Sequence, residues 1–370
     1  MELKTNRREF IRLLAGAAAF ASIPSFGFAR ARAAFDMLVV GDSLIWGQGL
    51  HEEQKFYTLT KEWIEKEILA GSVPVELKVL AHSGSRVKLD PRERAALDRA
   101  NRTGSEALHP EVNVSFPTIE RQLAAAVSIY SDPKSVDLIM LSGGIPDVGV
   151  AKIIDPFESN KRLRERIDTY CRKHLGDVLA DAAERFPNAK FALIGYYPII
   201  TRYTPMKRIV NDILELYHWP RWSKPLVNNA LNRSIFRLWK RKMIKRSRIW
   251  LEDSTAAFRD VARAVNQAAG RERAVFIPSP ITERQSFGTP DSRLFTVARR
   301  GRPADPKGDT RLRECGPALS QLREETRLEY RTRFCELASV GHPNPAGAAA
   351  IAAAIRNSLR PLLTQRVSNR

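Results

Sequence analysis

The amino-acid sequence predicts an α/β protein, a three-layer α/β/α sandwich around a five-stranded, mainly parallel sheet with helical insertions. Two observations carry that expectation. Short apolar runs of strand length alternate with longer segments of helical period, the pattern that builds parallel sheets. The 370 residues also suffice to bury a full core around such a sheet. The first strand is Asp36–Val40, followed by a helix over Glu53–Leu69 with Phe56, Leu59, Trp63 and Ile64 on one face. The second strand is Val75–Leu80. Thr118, just after Pro117, reads as the N-cap of a helix carrying Ile119, Leu123, Val127 and Ile129 toward the third strand, Val136–Leu141. Lys161–Arg185 has a helical face through Ile167, Cys171, Leu175, Val178 and Ala182, and Pro187-Asn188 stops it before the fourth strand, Lys190–Tyr197. Ser254 reads as the cap of a helix that Gly270 ends, and Ala274–Ile277 is the fifth strand. Pro345 then opens an Ala-rich helix to Leu363.

The chemistry starts where the first strand stops. Gly41-Asp42-Ser43-Leu44 puts a serine hydroxyl on a turn at a strand's carboxyl end, where open α/β sheets bind their ligands. Serine is a weak nucleophile until a base takes its proton, and Gly341-His342-Pro343-Asn344 offers one. An imidazole of near-neutral pKa takes that proton and returns it to a leaving alkoxide. His51, His82, His109, His174 and His218 lack the Pro-Asn setting, although His82 is placed to line a pocket.

These blocks resemble the GDSL (SGNH) hydrolase family over most of the chain after the first few dozen residues. Gly41-Asp42-Ser43-Leu44, extended by Trp46-Gly47-Gln48-Gly49, matches the nucleophile turn. Gly84 matches the oxyanion glycine, Gly144-Ile145-Pro146-Asp147 the third block, and Ser339-Val340-Gly341-His342 the block that ends in the base. The resemblance implies a flavodoxin-like sandwich and a serine esterase or lipase working through an acyl-enzyme. Ser43 and His342 would be its catalytic pair, and the N–H groups of Ser43 and Gly84 its oxyanion donors. Asp42, Gly144, Asp147 and Asn344 would shape the site, with no cofactor and no metal. Two positions depart from the pattern. Pro146 replaces an asparagine, and proline has neither a side-chain amide nor an N–H; losing an oxyanion donor costs about a hundred- to thousand-fold in rate. Ser339 replaces the acid that orients the base, leaving His342 to a backbone carbonyl or to an acid from elsewhere. Two further outcomes therefore stand beside hydrolysis: O-acyl transfer to an envelope glycan, and a degenerate relative that only binds the envelope.

The first 33 residues read as a twin-arginine export signal. Arg7-Arg8-Glu9-Phe10 precedes an apolar Leu13–Phe28 stretch, and Ala31-Arg32-Ala33 offers a small-residue cleavage site. A single domain is expected over 34–364, periplasmic or secreted. Among three cysteines, Cys315 and Cys335 close a loop in an oxidising compartment or all three stay unpaired; the spacing leaves both open. No Cys/His cluster has metal-ligand spacing.

The chain carries a formal charge of +19, of which the first 33 residues supply +4. Residues 205–250 hold twelve Lys/Arg against Asp212 and Glu215. They belong to an expected insertion over 201–250; a second, a Pro/Gly/Arg-rich loop followed by a polar helix, covers 284–334. In the first, Val227, Leu231, Ile235 and Leu238 share a helical face, and Trp219, Trp222, Trp239 and Trp250 lie among the basic residues. Such a segment suits an anionic membrane surface or a glycan, or else is a cap packed over the domain. Nucleic acid is not an expected partner of an exported chain. The expected substrate is an ester of the cell envelope, an O-acyl carbohydrate or a lipid.

Overall fold

Strands β1 (Phe35–Gly41), β2 (Val75–Val79), β3 (Val136–Ser142), β4 (Lys190–Ile194) and β5 (Ala274–Ile277) form one all-parallel sheet in the order β2-β1-β3-β4-β5. The structure is a computed structural model that describes residues 34–104, 108–216, 230–297 and 304–367, without the side chains of 212–216, 230–235 and 365–367. The expected export signal, Trp219, Trp222, Val227 and residues 299–303 lie outside the described residues. Every residue of β3 is buried, as a strand covered on both faces requires. The chain builds outward from β1 to β2 on one side and through β3, β4 and β5 on the other. The crevice at the carboxyl ends of β1 and β3 is therefore the topological switch point.

Two layers of helix cover the sheet. A short α1 (Ser43–Trp46) leaves β1 directly, and α2 (Phe56–Trp63) runs on as a π-turn over Ile64–Ile68. Next come α3 (Pro91–Arg99) and α4 (Ile119–Ile129), whose N-cap Thr118 accepts from the Arg121 amide. After β3 the chain forms α5 (Ile145–Val148) and α6 (Val150–Ile154), then α7 (Asn160–Ile167) and α8 (Leu175–Arg185), joined by a π-helical stretch. The remaining helices are α9 (Met206–Leu216), α10 (Ala230–Ala269), α11 (Gly308–Thr326), α12 (Thr332–Glu336) and α13 (Pro345–Val367). On one face α2 packs with α13, which lies against β4 and β5. On the other, α4 lies on β1, and α10 joins α7 and α8 to β4 and β5.

The structure differs from the sequence expectation in α10. Ser254 caps nothing: it is buried inside a 40-residue helix, its hydroxyl on the Leu251 carbonyl at 3.4 Å. Residues 230–253 contain no Gly or Pro, so nothing stops helix propagation before Asp253-Ser254. The 201–250 segment thus has no boundary at its end. Trp250 and Arg246, which the sequence places in the basic, Trp-rich 205–250 segment, are buried. The Arg246 guanidinium donates to the carbonyls of Lys152, Ile153 and Glu158, satisfying the end of α6. The fourth strand also stops at Ile194, three residues early, because Tyr196 and Tyr197 turn into the crevice described below.

A second, smaller core forms where α11 and α12 pack on α3 and the 112–116 segment. It joins Leu97, Val114 and Phe116 to Leu319 and Leu322. A Cys315–Cys335 disulfide, Cα atoms 5.9 Å apart, lies in it, and Cys171 is free and buried.

Candidate active site

The turn after β1 is fixed before any chemistry is considered. Gly41 has φ +138°, and a Cβ there would lie 2.1 Å from the Ser142 carbonyl of β3, so only glycine lets the strands approach. Gln122 of α4 clamps the same peptide. Its Oε1 accepts from Gly41 N–H at 2.6 Å, and its amide donates to the Gly41 carbonyl at 3.1 Å and to Ser85 and Pro117. Asp42 then caps α1, accepting from Leu44 N–H at 3.0 Å and from the Tyr196 hydroxyl at 2.5 Å. Burial pushes its pKa up to about 6, against the hydrogen bonds that favour the carboxylate.

Held this way, Ser43 presents Oγ to His342 Nε2 at 2.7 Å, across 299 residues of sequence. The histidine sits on a loop stitched at three points. Phe295 N–H donates to its carbonyl, Gly341 N–H to Phe295 O, and the Tyr197 hydroxyl to Gly341 O. Burial, reinforced by the Arg311 charge, lowers the imidazole pKa to about 4, while Asp305 and the Ser339 and Ala338 carbonyls push it up. The ring is thus a neutral base. Among the described residues, His342 Nδ1 is shielded from solvent and has no hydrogen-bond partner.

The second and third blocks meet at the same end of the sheet. His82 N–H donates to the Gly41 carbonyl, which sets the 82–84 turn against the end of β1. Gly84 has φ +78°, and a Cβ there would meet Asn113 Oδ1 at 2.2 Å. Among the described residues no acceptor pairs with the backbone N–H of Ser43 or Gly84. Unpaired N–H groups at a crevice suit a developing oxyanion. Pro146 occupies the first turn of α5, where its missing N–H goes unneeded. Gly144 caps that turn with φ +115°, and a Cβ would lie 2.7 Å from Cys171 Sγ. Asp147 holds the 84–87 loop by accepting from Val87 N–H at 3.1 Å. Burial, with Asp42 adding to it, raises its pKa to about 7. Asn344 is spent on local structure, its Oδ1 accepting from Gly347 N–H at the start of α13. His82 Nδ1–H donates to the Ser83 carbonyl at 3.0 Å.

Behind the base lies a buried polar cluster that the sequence did not reveal. The Arg311 guanidinium donates to Glu111 Oε2 at 2.6 Å, to Asp305 Oδ2 at 2.6 Å, to Ser339 Oγ at 2.9 Å and to the Glu336 carbonyl. Ser339 Oγ in turn donates to Asp305 Oδ2 at 2.5 Å. Glu111 Oε1 accepts from the Trp46 indole and from Gly49 N–H, tying the cluster to the serine turn. The only sequence signal was negative, the serine at the place of the expected acid. Beside the histidine loop, Arg208, Thr289, Ser292, Phe295 and Asn344 line a cavity of about 610 Å³.

No protein-family model and no curated protein matches the sequence. Solved structures similar to this one include a phospholipase A1 from Streptomyces albidoflavus NA297, 13% identical, covering 88% of this chain and 99% of that one with a TM-score of 0.41. An extracellular lipase from Streptomyces rimosus is 11% identical, with 87% and 98% covered and a TM-score of 0.43. A carbohydrate acetylesterase from Sinorhizobium meliloti is 12% identical, with 89% and 99% covered and a TM-score of 0.38.

Proposed function

We propose that this chain is an exported serine hydrolase that cleaves carboxylic esters of the cell envelope. One observation carries the reading: a neutral imidazole 2.7 Å from a serine hydroxyl at the switch point of a parallel sheet. Ser43 Oγ attacks the ester carbonyl as His342 Nε2 takes its proton. The tetrahedral oxyanion is met by the N–H groups of Ser43 and Gly84. The intermediate collapses, and His342 returns the proton to the departing alkoxide. Water then attacks the acyl-enzyme, giving a proton to His342, and the acid leaves as Ser43 recovers its own. The Cys315–Cys335 disulfide supports an oxidising compartment. No helix of the described residues is long and apolar enough to cross a membrane.

A lipid ester is the substrate that the surface favours. Phe157 and Leu238 are 71% and 61% exposed, and Phe157 and Phe236 both pack on Trp239. Exposed Arg241, Lys242, Lys245 and Arg248 follow on the same helix. An aromatic patch beside basic residues suits the headgroup region of an anionic bilayer.

The test is labelling with a fluorophosphonate and hydrolysis of nitrophenyl esters of increasing acyl length. Wild-type protein should be labelled at Ser43, and Ser43→Ala should lose labelling and about four orders of magnitude in kcat. Folded wild-type protein that neither takes the label nor cleaves any ester of the series would overturn the reading.

A further inference from the structure

We infer that Gln122 is the positioning residue of the oxyanion site, the side chain that keeps the N–H groups of Ser43 and Gly84 at one separation. This role rests on the hydrolase reading and goes beyond it, since Gln122 lies on α4, outside all four motif blocks, and bonds to neither Ser43 nor His342. Two N–H groups serve one developing oxyanion only while the turns that carry them hold a fixed spacing. Here the turns come from different strands, Ser43 after β1 and Gly84 after β2.

One carboxamide spans the two turns. Gly41, two residues before Ser43, gives its N–H to Gln122 Oε1 at 2.6 Å and takes Nε2–H on its carbonyl at 3.1 Å. The same Nε2 donates at 3.0 Å to the hydroxyl of Ser85, which directly follows Gly84. Among the described residues no other side chain hydrogen-bonds to both turns. Asp42 and Tyr196 brace the serine turn, and Asp147 braces the 84–87 loop. The His82 amide shares the Gly41 carbonyl but pins only the entry to the second turn. The first turn of α4 carries the rest of that loop. Ser85 Oγ donates to Pro117 O at 2.7 Å, Ile119 N–H to Arg86 O, and Glu120 N–H to Val87 O. Amides at a helix start have no partner inside the helix, so they are available to hold a neighbouring loop. Gln122 thus locks the mount of Gly84 to the peptide that leads into Ser43. It is 1% exposed, so its removal would leave the Gly41 N–H buried and unpaired.

Two variants separate positioning from folding. Gln122→Met fills the same space without a hydrogen-bonding group, and should lower kcat about ten- to a hundred-fold with KM within about twofold. Inhibition by butylboronic acid, which forms a tetrahedral anion on Ser43, should weaken by a similar factor. A misfolded fraction would lower kcat and leave both KM and that inhibition constant alone. Gln122→Glu is read on one folded sample at pH 5 and pH 8. Neutral, the new carboxyl accepts from Gly41 N–H and donates to Ser85 Oγ or the Gly41 carbonyl; ionised, it sets a negative oxygen against them. Burial keeps such a carboxyl neutral above its usual range. Its kcat relative to wild type should therefore lie within about threefold at pH 5 and fall about tenfold or more by pH 8. Gln122→Met with kcat and boronate inhibition within about twofold of wild type would refute the role. So would a relative kcat of Gln122→Glu that is the same at both pH values. If the wild type cleaves no ester, the hydrolase reading fails by itself, and the Ser43 and Gly84 amide resonances of Gln122→Glu decide the positioning. One carboxyl holding both turns moves both resonances with a single midpoint; resonances that stay put or titrate separately would overturn it.

Discussion

His342 and His82 are both buried imidazoles, and burial lowers each to a pKa of about 4. For His342 this sets the acid limit of catalysis. The base is already neutral at pH 5, so kcat/KM should stay within about twofold between pH 5 and 7 and fall only near pH 4. A limb centred above pH 6 would contradict the buried setting of the ring. The same shift is a statement about stability. A histidine whose folded pKa lies below its unfolded value contributes stability that is complete above about pH 6.5 and lost as pH falls through 4. Asp42 and Asp147, raised to about 6 and 7, have the opposite sign: their contribution is present below about pH 3.8 and lost as pH rises through those values. The pairing of Ser43 with His342 was legible because the strand-turn serine and the His-Pro-Asn loop, each weak alone, occur in one chain in this order. Gln122 was not. On a helix it reads as an ordinary polar residue, and only the fold brings its amide to the Gly41 peptide. Glu111, Asp305 and Arg311 were hidden for a related reason, being drawn together from segments up to 200 residues apart with no pattern between them.

The strands and the α4 and α13 helices were legible at the element scale, since apolar period and a Thr118 or Pro345 start signal suffice for them. The start of α10 was not, because Asp253-Ser254 has the chemistry of a cap and lacks only the preceding stop. Least legible was the α11–α12 segment, which reads as a polar insertion yet supplies Asp305, Arg311 and Ser339 around the base. Its disulfide joins α11, which carries Arg311, to α12, which leads into Ser339. Cross-linking across 20 residues removes unfolded-state entropy worth about 3 kcal/mol. The Cys315→Ser/Cys335→Ser double variant should therefore unfold at lower urea concentration. Its kcat should fall more than its KM rises, because the loosened pieces hold the base rather than the substrate. Unfolding curves and kcat values that superimpose on those of the wild type would show that the small core fixes this segment without the bond.

For the whole molecule, the relation between the site and the charged surface decides what substrate reaches Ser43. The 195–205 segment leaves the carboxyl end of β4, the end of the sheet that carries the serine turn. It is bound to α10: Ser247 Oγ accepts from the amides of Ile199 and Ile200 at 2.8 and 3.1 Å, and Lys240 Nζ donates to Arg202 O. The aromatic patch around Trp239 adjoins Lys240 on the same helix. The net +15 that remains beyond residue 33 attracts the protein to an anionic surface. Each basic residue near such a surface contributes on the order of 1 kcal/mol, and salt screens that contribution within about 10 Å at 0.1 M. The protein should therefore sediment with phosphatidylglycerol vesicles at low salt and be released as salt rises, with little binding to phosphatidylcholine. Lys242→Glu/Lys245→Glu should weaken the binding at least tenfold, and Phe157→Ser/Leu238→Ser should weaken it with little change in the salt dependence. Neither pair touches Ser43 or His342, so hydrolysis of a soluble nitrophenyl ester should persist while cleavage of vesicle lipid falls. Equal binding to neutral and anionic vesicles, or loss of soluble-ester turnover in these variants, would leave the charged helix as a cap over the domain.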